Sequence, residues 1–511
     1  MTDVLVIGGG PTGLLTACEL LRRGVPVRVV DRAPAPAPHS KALLLWPRTL
    51  DVLTDLGVGG EVVRRSIRID SFRYTSEGRE LVDIRFPAEL AARALPQAST
   101  EDVLRDRLAA LGGRVEQGVR LLALDGVDRS GDPARTRGTT AILEHADGRV
   151  ERADAAWVVG CDGAGSAVRA QLGVAFTGST YADHFVIADA RIDGGAAVDQ
   201  AHYLLSARGA LVVMPLPDGL HRVFASLPQA PPGGVDLPLV QRLLDERGPG
   251  GLRLRDPEWT SGFRVHRRQA ERFSVGRVFL VGDAAHVHSP TGGQGLNTGL
   301  QDAHNLAWKL AAVVHGDAPA ALLDSYSAER RPVAAAVVRA TDAQTRAWML
   351  RSAPLVGVRD AALRLAHRSG LIERGYLPVL AGRRLRYAPG ASAALLAPPA
   401  GEDRGPLRVG APVPPEVLAR LAPPAATPAG WTVLHPGTPV LRVPGVPEVA
   451  VPALRALRGC AATAFVVVRP DGIVAARGRA ADADAARAWL TRLTTPDGAD
   501  PVRRDPSRLA S

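Results

Sequence analysis

Short unbroken apolar runs and segments of helical spacing follow one another through the first part of the chain. Residues 4–7 (VLVI) are an apolar run of buried-strand length. Residues 14–23 are helical in pattern, and Gly24 is a natural stop. Residues 27–30 form a second apolar run. Strand, helix and strand in this order predict a βαβ unit, and with it a parallel sheet. Alternating alanine and proline over 33–38 predict extended loop. Residues 101–111 have helical spacing, and 155–160 read as another buried strand. From about 180 to 265 the texture changes to β-rich segments (184–192, 210–217, 221–227) separated by Gly/Pro turns, which predicts a distinct sheet domain. Residues 277–282 return to the buried-strand type, and 295–315 predict a long helix. A stretch dense in Ala, Pro and Gly over 388–428 reads as a linker. Beyond it, 465–468, the turn Pro470-Asp471-Gly472 and 473–476 predict a hairpin. The last dozen or so residues are polar and read as a frayed end.

This pattern predicts an α/β chain: a dinucleotide-binding domain over 1–175, an inserted β-sheet domain over 176–274, a return to the first domain with helices over 275–395, and a C-terminal domain over 396–511. The length of 511 residues requires several domains, and 46% hydrophobic with 22% charged residues fits a globular protein. No apolar run approaches membrane-span length, and the amino terminus lacks the basic region and cleavage site of a secretory signal, so no membrane partner is expected. The net charge of +10 is carried almost wholly by scattered arginines, since lysine occurs only at Lys41 and Lys309. Without a basic stripe, no nucleic-acid partner is expected. Cys18, Cys161 and Cys460 form no C-x-x-C, so a reduced cytoplasmic setting is expected. No His/Cys cluster has zinc spacing, and no metal is expected.

Three motifs carry chemistry. Gly8-Gly9-Gly10-Pro11-Thr12-Gly13 satisfies G-x-G-x-x-G, leaves a strand and opens a helix. Gly8 permits the tight turn, Gly10 lets a pyrophosphate approach the backbone, and Gly13 lets helix and strand pack closely. The helix amino terminus offers N–H groups and a positive dipole end to phosphate. Asp31 ends the second strand, followed by Arg32; its carboxylate suits a ribose hydroxyl and repels a ribose phosphate, favouring FAD or NAD over NADP. The second motif, Cys161-Asp162-Gly163-Ala164-Gly165-Ser166, also follows an apolar strand; taken alone, Asp162-Gly163 reads equally well as a turn. The third is Gly282-Asp283-Ala284-Ala285-His286, followed by Pro290-Thr291-Gly292-Gly293-Gln294-Gly295-Leu296-Asn297. It places Asp283 at the carboxyl edge of a strand and starts a helix near Gly295, whose positive end suits a reduced flavin.

In this order and spacing the motifs resemble class A flavoprotein monooxygenases with the p-hydroxybenzoate hydroxylase fold, a Rossmann-type FAD-binding domain. Residues 301–310 and 326–332 resemble the family's helix and the segment after it, and the resemblance covers roughly residues 1–390. From about 400 the chain resembles the thioredoxin-like tail of phenol- and polyketide-hydroxylase-like members, without a C-x-x-C for dithiol chemistry. The resemblance implies non-covalent FAD, with Gly8, Gly10 and Gly13 at its pyrophosphate and Asp31 at its ribose, and with Pro11, Thr12 and Arg32 also cofactor-binding. It implies that Asp162 and Gly163 serve the pyrophosphate region or NAD(P)H, that Asp283 meets the ribityl chain, and that the backbone N–H groups of Leu296 and Asn297 face the flavin's pyrimidine edge, with Gly282, Gly293 and Gly295 also cofactor-binding. Gln97 resembles a flavin-contacting glutamine, and Pro290 a catalytic-site proline whose carbonyl lies by the reactive flavin carbon. Lys41 stands where the family commonly has arginine; it keeps the charge and loses the bidentate fork.

The implied activity is hydroxylation of a phenolic or polycyclic aromatic, polyketide-like compound, with transient NAD(P)H and O2 as co-substrates and oxygen transfer from a flavin hydroperoxide. Baeyer–Villiger oxygenation, epoxidation and non-catalytic flavin or ligand binding stand as alternatives. The tryptophans are isolated, so the W-x-W-x-I-P of flavin halogenases is absent. Tyr203, Met214 and Phe224 lie on strands that could meet the substrate, as does His202. His286 and His288 flank the third motif as loop-holding residues. Monomer and homodimer are both open.

Overall fold

The computed structural model describes residues 2–128, 138–195, 197–388, 407–414, 417, 430–452, 454, 457 and 460–494. The chain divides into two compact units, one of Met1–Leu21, Pro26–His304 and Arg330–Leu385, the other of Arg22–Val25, Asn305–Glu329 and Arg386–Ser511. The predicted linker over 388–428 lies for the most part outside the described residues, and the polar end from 495 lies wholly outside them.

The first unit is built on two large sheets. In the first, Val278–Leu280, Val150–Gly160, Thr2–Ile7, Val27–Asp31 and Val115–Gln117 lie side by side and parallel. Val4, Leu5 and Val6 are almost fully buried in its centre, as an apolar run covered on both faces must be. The helix Pro11–Leu21 starts three residues before the apolar period does, because proline is tolerated in the first helical turn. A Cβ at Gly13 would run into the Gly8 carbonyl oxygen, so the close helix–strand crossing requires glycine there. The predicted helix over 101–111 spans Gln97–Ala110, entered through Pro96.

Arg28 ties this sheet together. Its Nη1 is 2.6 Å from Glu151 and its Nε 2.9 Å from Glu116. The hydrogen bond from Arg28, helped by His145, holds the Glu151 carboxyl down to about 2 from an ordinary 4.5. A depressed carboxyl stabilises the fold above its ordinary value, and that contribution disappears as pH falls towards about 2. Glu151→Gln is therefore expected to lower the unfolding temperature at neutral pH and to flatten its decline between pH 4.5 and 2; parallel wild-type and variant curves would contradict this.

The second sheet has the order His286–Val287, Arg253–Ala270, Phe176–Asp193, Leu220–Leu227, Gly209–Pro215, Gln200–Ser206, Ser71–Ser76, Arg79–Arg85. The β-rich texture predicts its middle. The hairpin Ser71–Ser76 and Arg79–Arg85 carries no comparable apolar run, yet it joins the sheet by parallel pairing of Tyr74 with Tyr203. One face packs Val186, Leu211 and Val223 against the helix Leu237–Arg247, which is capped by Asp236. The other face, with Tyr203, Met214 and Phe72, packs with Trp46 and Trp348.

In the second unit, Thr432–His435 pairs in parallel with Glu448–Ala450 and antiparallel with Phe465–Val468, which turns back into Val474–Gly478. The helix Ala483–Thr494 follows, and Trp308, Trp431 and Trp489 meet edge to face in its core. Among the described residues no helix is long and apolar enough to cross a membrane.

Candidate active site

A cavity of about 810 Å³ opens in the first unit between the carboxyl edge of the parallel sheet and the Tyr203 face of the second sheet. Gly8, Gly10, Pro11, Thr12, Asp31 and Arg32 line one end. Tyr203, Met214 and Phe224 line the other. Lys41, Gln97, Asp162 and Asp283 lie along it, with Pro290, Gly293, Gly295 and Leu296 of the glycine-rich loop. Gly13, Gly282, Asn297 and His202 are not among its lining residues.

At the dinucleotide end, Gly8 has φ +109° and lies so close to Cys161 that a Cβ would strike the Cys161 carbonyl. A Cβ at Gly10 would meet no atom within 4 Å, leaving open space above the helix start. Asp31 is fixed by two backbone donors, Gly9 N at 2.6 Å and Ala33 N at 2.8 Å. Asp162 accepts from Ser166 Oγ at 2.5 Å and from Val168 N at 3.1 Å, so its carboxylate secures its own turn at the cavity wall. Gly282 has φ +62°, and a Cβ there would lie 2.8 Å from Thr12 Oγ1. It packs the third motif onto the first rather than facing the cavity.

Asp283 accepts no hydrogen bond from a described residue. It is open to the cavity yet deep in the protein, and desolvation raises its carboxyl above the ordinary value against the pull of His286 and Lys41. Such a carboxylate is matched by a ligand presenting hydroxyl donors. Lys41 Nζ sits 4.2 Å from the centre of the Phe263 ring, and burial lowers its pKa, partly offset by Asp283. Gln97 holds Glu101 at 2.8 Å with its side chain, while its N–H donates to the Ala42 carbonyl at 3.0 Å.

The loop after Pro290 turns through Gly292 and Gly293, at φ +74° and +62°, into the helix Gln294–His315. Asn297 works through its side chain. Its Oδ1 accepts from Trp46 N at 2.8 Å, and its Nδ2 donates to Leu44 and Gly293 carbonyls at 2.8 and 2.6 Å. Beneath the loop, His286 Nε2 is 2.7 Å from Asp302, and Arg330 Nε lies 2.5 Å from the other Asp302 oxygen. His288 bonds Ser289 O at 2.9 Å, and burial beside His286 pushes its pKa down to about 4.

Arg222, Phe263, His266 and Trp348 also line the cavity and were not singled out from the sequence. Arg222 and Phe224 are two apart on one strand, so period-2 alternation could have paired them on one face.

Lys41 gives a direct test of the cavity. The chain's other lysine, Lys309, is fully buried. Mild amine acylation is expected to modify Lys41 and the terminal amine but not Lys309. FAD at ten times its Kd should slow Lys41 labelling roughly tenfold, in proportion to the unliganded fraction. Labelling of Lys41 indifferent to FAD would place the cofactor elsewhere.

The open backbone at Gly10, the held carboxylate of Asp31 and the donor-seeking Asp283 fit an extended dinucleotide with a polyhydroxyl chain, and define a flavoprotein. The FAD binding domain family matches residues 1–341. The chain is 39% identical over 362 residues to 6-methylpretetramide 4-monooxygenase of Streptomyces rimosus, covering 69% of this chain and 63% of that enzyme. It is 40% identical over 357 residues to a flavin-dependent monooxygenase of Mycobacteroides abscessus, covering 66% and 72%. The fold matches anhydrotetracycline hydroxylase of Streptomyces rimosus with a TM-score of 0.76 at 30% identity, covering 97% of this chain and 99% of that one. The chain belongs to the FAD binding domain family, among its FAD-dependent monooxygenases.

Proposed function

We propose that this protein uses NAD(P)H and O2 to hydroxylate a phenolic or polycyclic aromatic, polyketide-like compound. The observation that carries this reading is one continuous cavity joining a dinucleotide cradle to an aromatic sheet face. Bound FAD supplies hydride acceptance from NAD(P)H and activation of dioxygen for transfer of one oxygen atom. The remaining work falls to the chain. Gly8, Gly10 and the helix start at Pro11 hold the pyrophosphate, and Asp31 a ribose hydroxyl. Asp283 would accept from the ribityl hydroxyls, and the backbone N–H groups of Leu296 and Asn297, in the first turn of the helix Gln294–His315, would meet the pyrimidine edge. Pro290, which lines the cavity, would present its carbonyl to the reacting ring.

Tyr203, Met214, Phe224 and Trp348 present an apolar, aromatic wall that orients a flat substrate and excludes water. His288 is neutral well above its pKa of about 4, and His286 is committed to Asp302, so both serve as hydrogen-bonding struts of the loop. The relatives named for 6-methylpretetramide and anhydrotetracycline support a substrate of that kind. Three buried cysteines with no disulfide between them suit a reducing, cytoplasmic setting.

The test is to screen aromatic metabolites for stimulated NAD(P)H consumption by the FAD-loaded protein, with product mass measured. A gain of one oxygen atom supports hydroxylation. A preparation that takes up no FAD sinks the reading, and stimulation without an oxygenated product favours ligand sequestration.

A further inference from the structure

The segment 39–42 crosses the cavity between the parallel sheet and the second sheet, and three contacts fasten it to the second. The His39 ring stacks on Trp259, with centres 5.6 Å apart and 15° between planes. Lys41 Nζ lies over Phe263. The Lys41 carbonyl accepts from Arg222 Nη1 at 2.6 Å. On its other side the same segment is bonded at Ala42 O by Gln97 N, at the start of the helix Gln97–Ala110. It is a strap with one edge on each part of the cavity.

Arg222 is almost fully buried, and its guanidinium is held in plane by Asp189. Nε and Nη2 meet the two carboxylate oxygens at 2.7 and 2.6 Å. The register sets Asp189 opposite both Arg222 and Trp259, so the three form one row across adjacent strands. A planar fork fixed by a carboxylate leaves Nη1 aimed in one direction, which is at the strap. A cross-strand ion pair alone needs only the two bonds to Asp189.

We propose that Arg222 is a positioning residue: it holds the Lys41 carbonyl and so keeps the strap in register for FAD. This deepens the proposed function and rests on FAD occupying the cavity. The same side chain lines the cavity beside Phe224, so a ligand on the aromatic wall would press on the group that fastens the cofactor strap.

The experiment compares FAD affinity, by flavin fluorescence and absorbance, for wild type, Arg222→Lys and Trp259→Leu. It adds site-resolved acylation of Lys41 in the apo-proteins. Lysine keeps a cation opposite Asp189 but cannot also reach the strap. Trp259→Leu keeps both members of the Arg222–Asp189 ion pair while removing the ring on which His39 stacks and over which the Arg222 guanidinium lies at 5.6 Å. Arg222→Lys is expected to weaken FAD binding roughly tenfold, as loss of one charge-assisted hydrogen bond does, and to speed labelling of Lys41 severalfold. Trp259→Leu should move both readouts the same way by less. An Arg222→Lys protein that binds FAD like the wild type overturns the proposal. So does weaker binding with unchanged Lys41 labelling, since the loss would then not run through the strap. A wild type that takes up no FAD overturns the reading of the site itself.

Discussion

Asp283→Ala is expected to yield a folded protein that retains almost no FAD, with affinity reduced at least about a hundredfold, the equivalent of two lost charge-assisted hydrogen bonds. The side chain accepts nothing from the described residues, and burial raises its carboxyl. Holding that charge therefore costs the apo-protein stability, and ligand donors offset the cost. The sign for the apo-protein follows. A carboxyl raised in the fold makes stability fall as pH climbs past the ordinary 3.8 and the group ionises. The alanine apo-protein should lack that decline and unfold no earlier than the wild type at neutral pH. Asp283→Asn keeps one acceptor and should lose less affinity. Retention of FAD by Asp283→Ala at wild-type affinity would remove Asp283 from the cofactor site.

Arg469→Met is expected to destabilise the second unit by about 3–5 kcal/mol, the usual effect of removing one partner from a buried ionic cluster. Arg469 Nη1 lies 2.6 Å from Glu329, and its Nε and Nη2 lie 2.9 and 2.5 Å from the two oxygens of Asp471. Lys309 Nζ is 2.9 Å from Glu329, and burial brings its pKa down to about 8. All four groups are at most 2% exposed. Without the guanidinium, Glu329 and Asp471 lose its charge-assisted hydrogen bonds while both carboxylates stay buried. Denaturant unfolding of the full chain, followed by tryptophan fluorescence because Trp308, Trp431 and Trp489 report on this core, would measure the loss. A change below about 1 kcal/mol, typical of an exposed pair, would show that the cluster is not shielded as its geometry implies.

Much of the glycine-rich end of the cavity was legible because each part answers a local demand. The turn at Gly8 needs positive φ, and the crossing at Gly13 admits no Cβ. Asp283 follows the strand Val278–Leu280 in a short 3-10 turn and lines the cavity, close to where the strand's carboxyl edge predicts it. Two readings needed the fold. Asp162 faces the cavity, but its oxygens secure the local turn. Asn297 was read for its backbone, while its side chain fastens Trp46 and Leu44, some 250 residues earlier, to the loop.

The sheet-face end of the cavity was less legible. Tyr203, Met214 and Phe224 were candidates among many apolar strand residues, and strand alternation assigns side chains to two faces without saying what covers each. The hairpin at 71–85, Trp348 and the strap on Arg222 come together through pairings more than a hundred residues apart. By itself the sequence determined the parallel dinucleotide unit, the flavin motifs and the hairpin at 465–478, since these rest on local backbone geometry, helix polarity and apolar periodicity. Only the tertiary structure decided which sheet face became the cavity wall, that Arg222 reaches Lys41, and that Arg469 meets Glu329. Those outcomes depend on long-range packing, where many side chains of equal local propensity compete and three-dimensional complementarity selects among them.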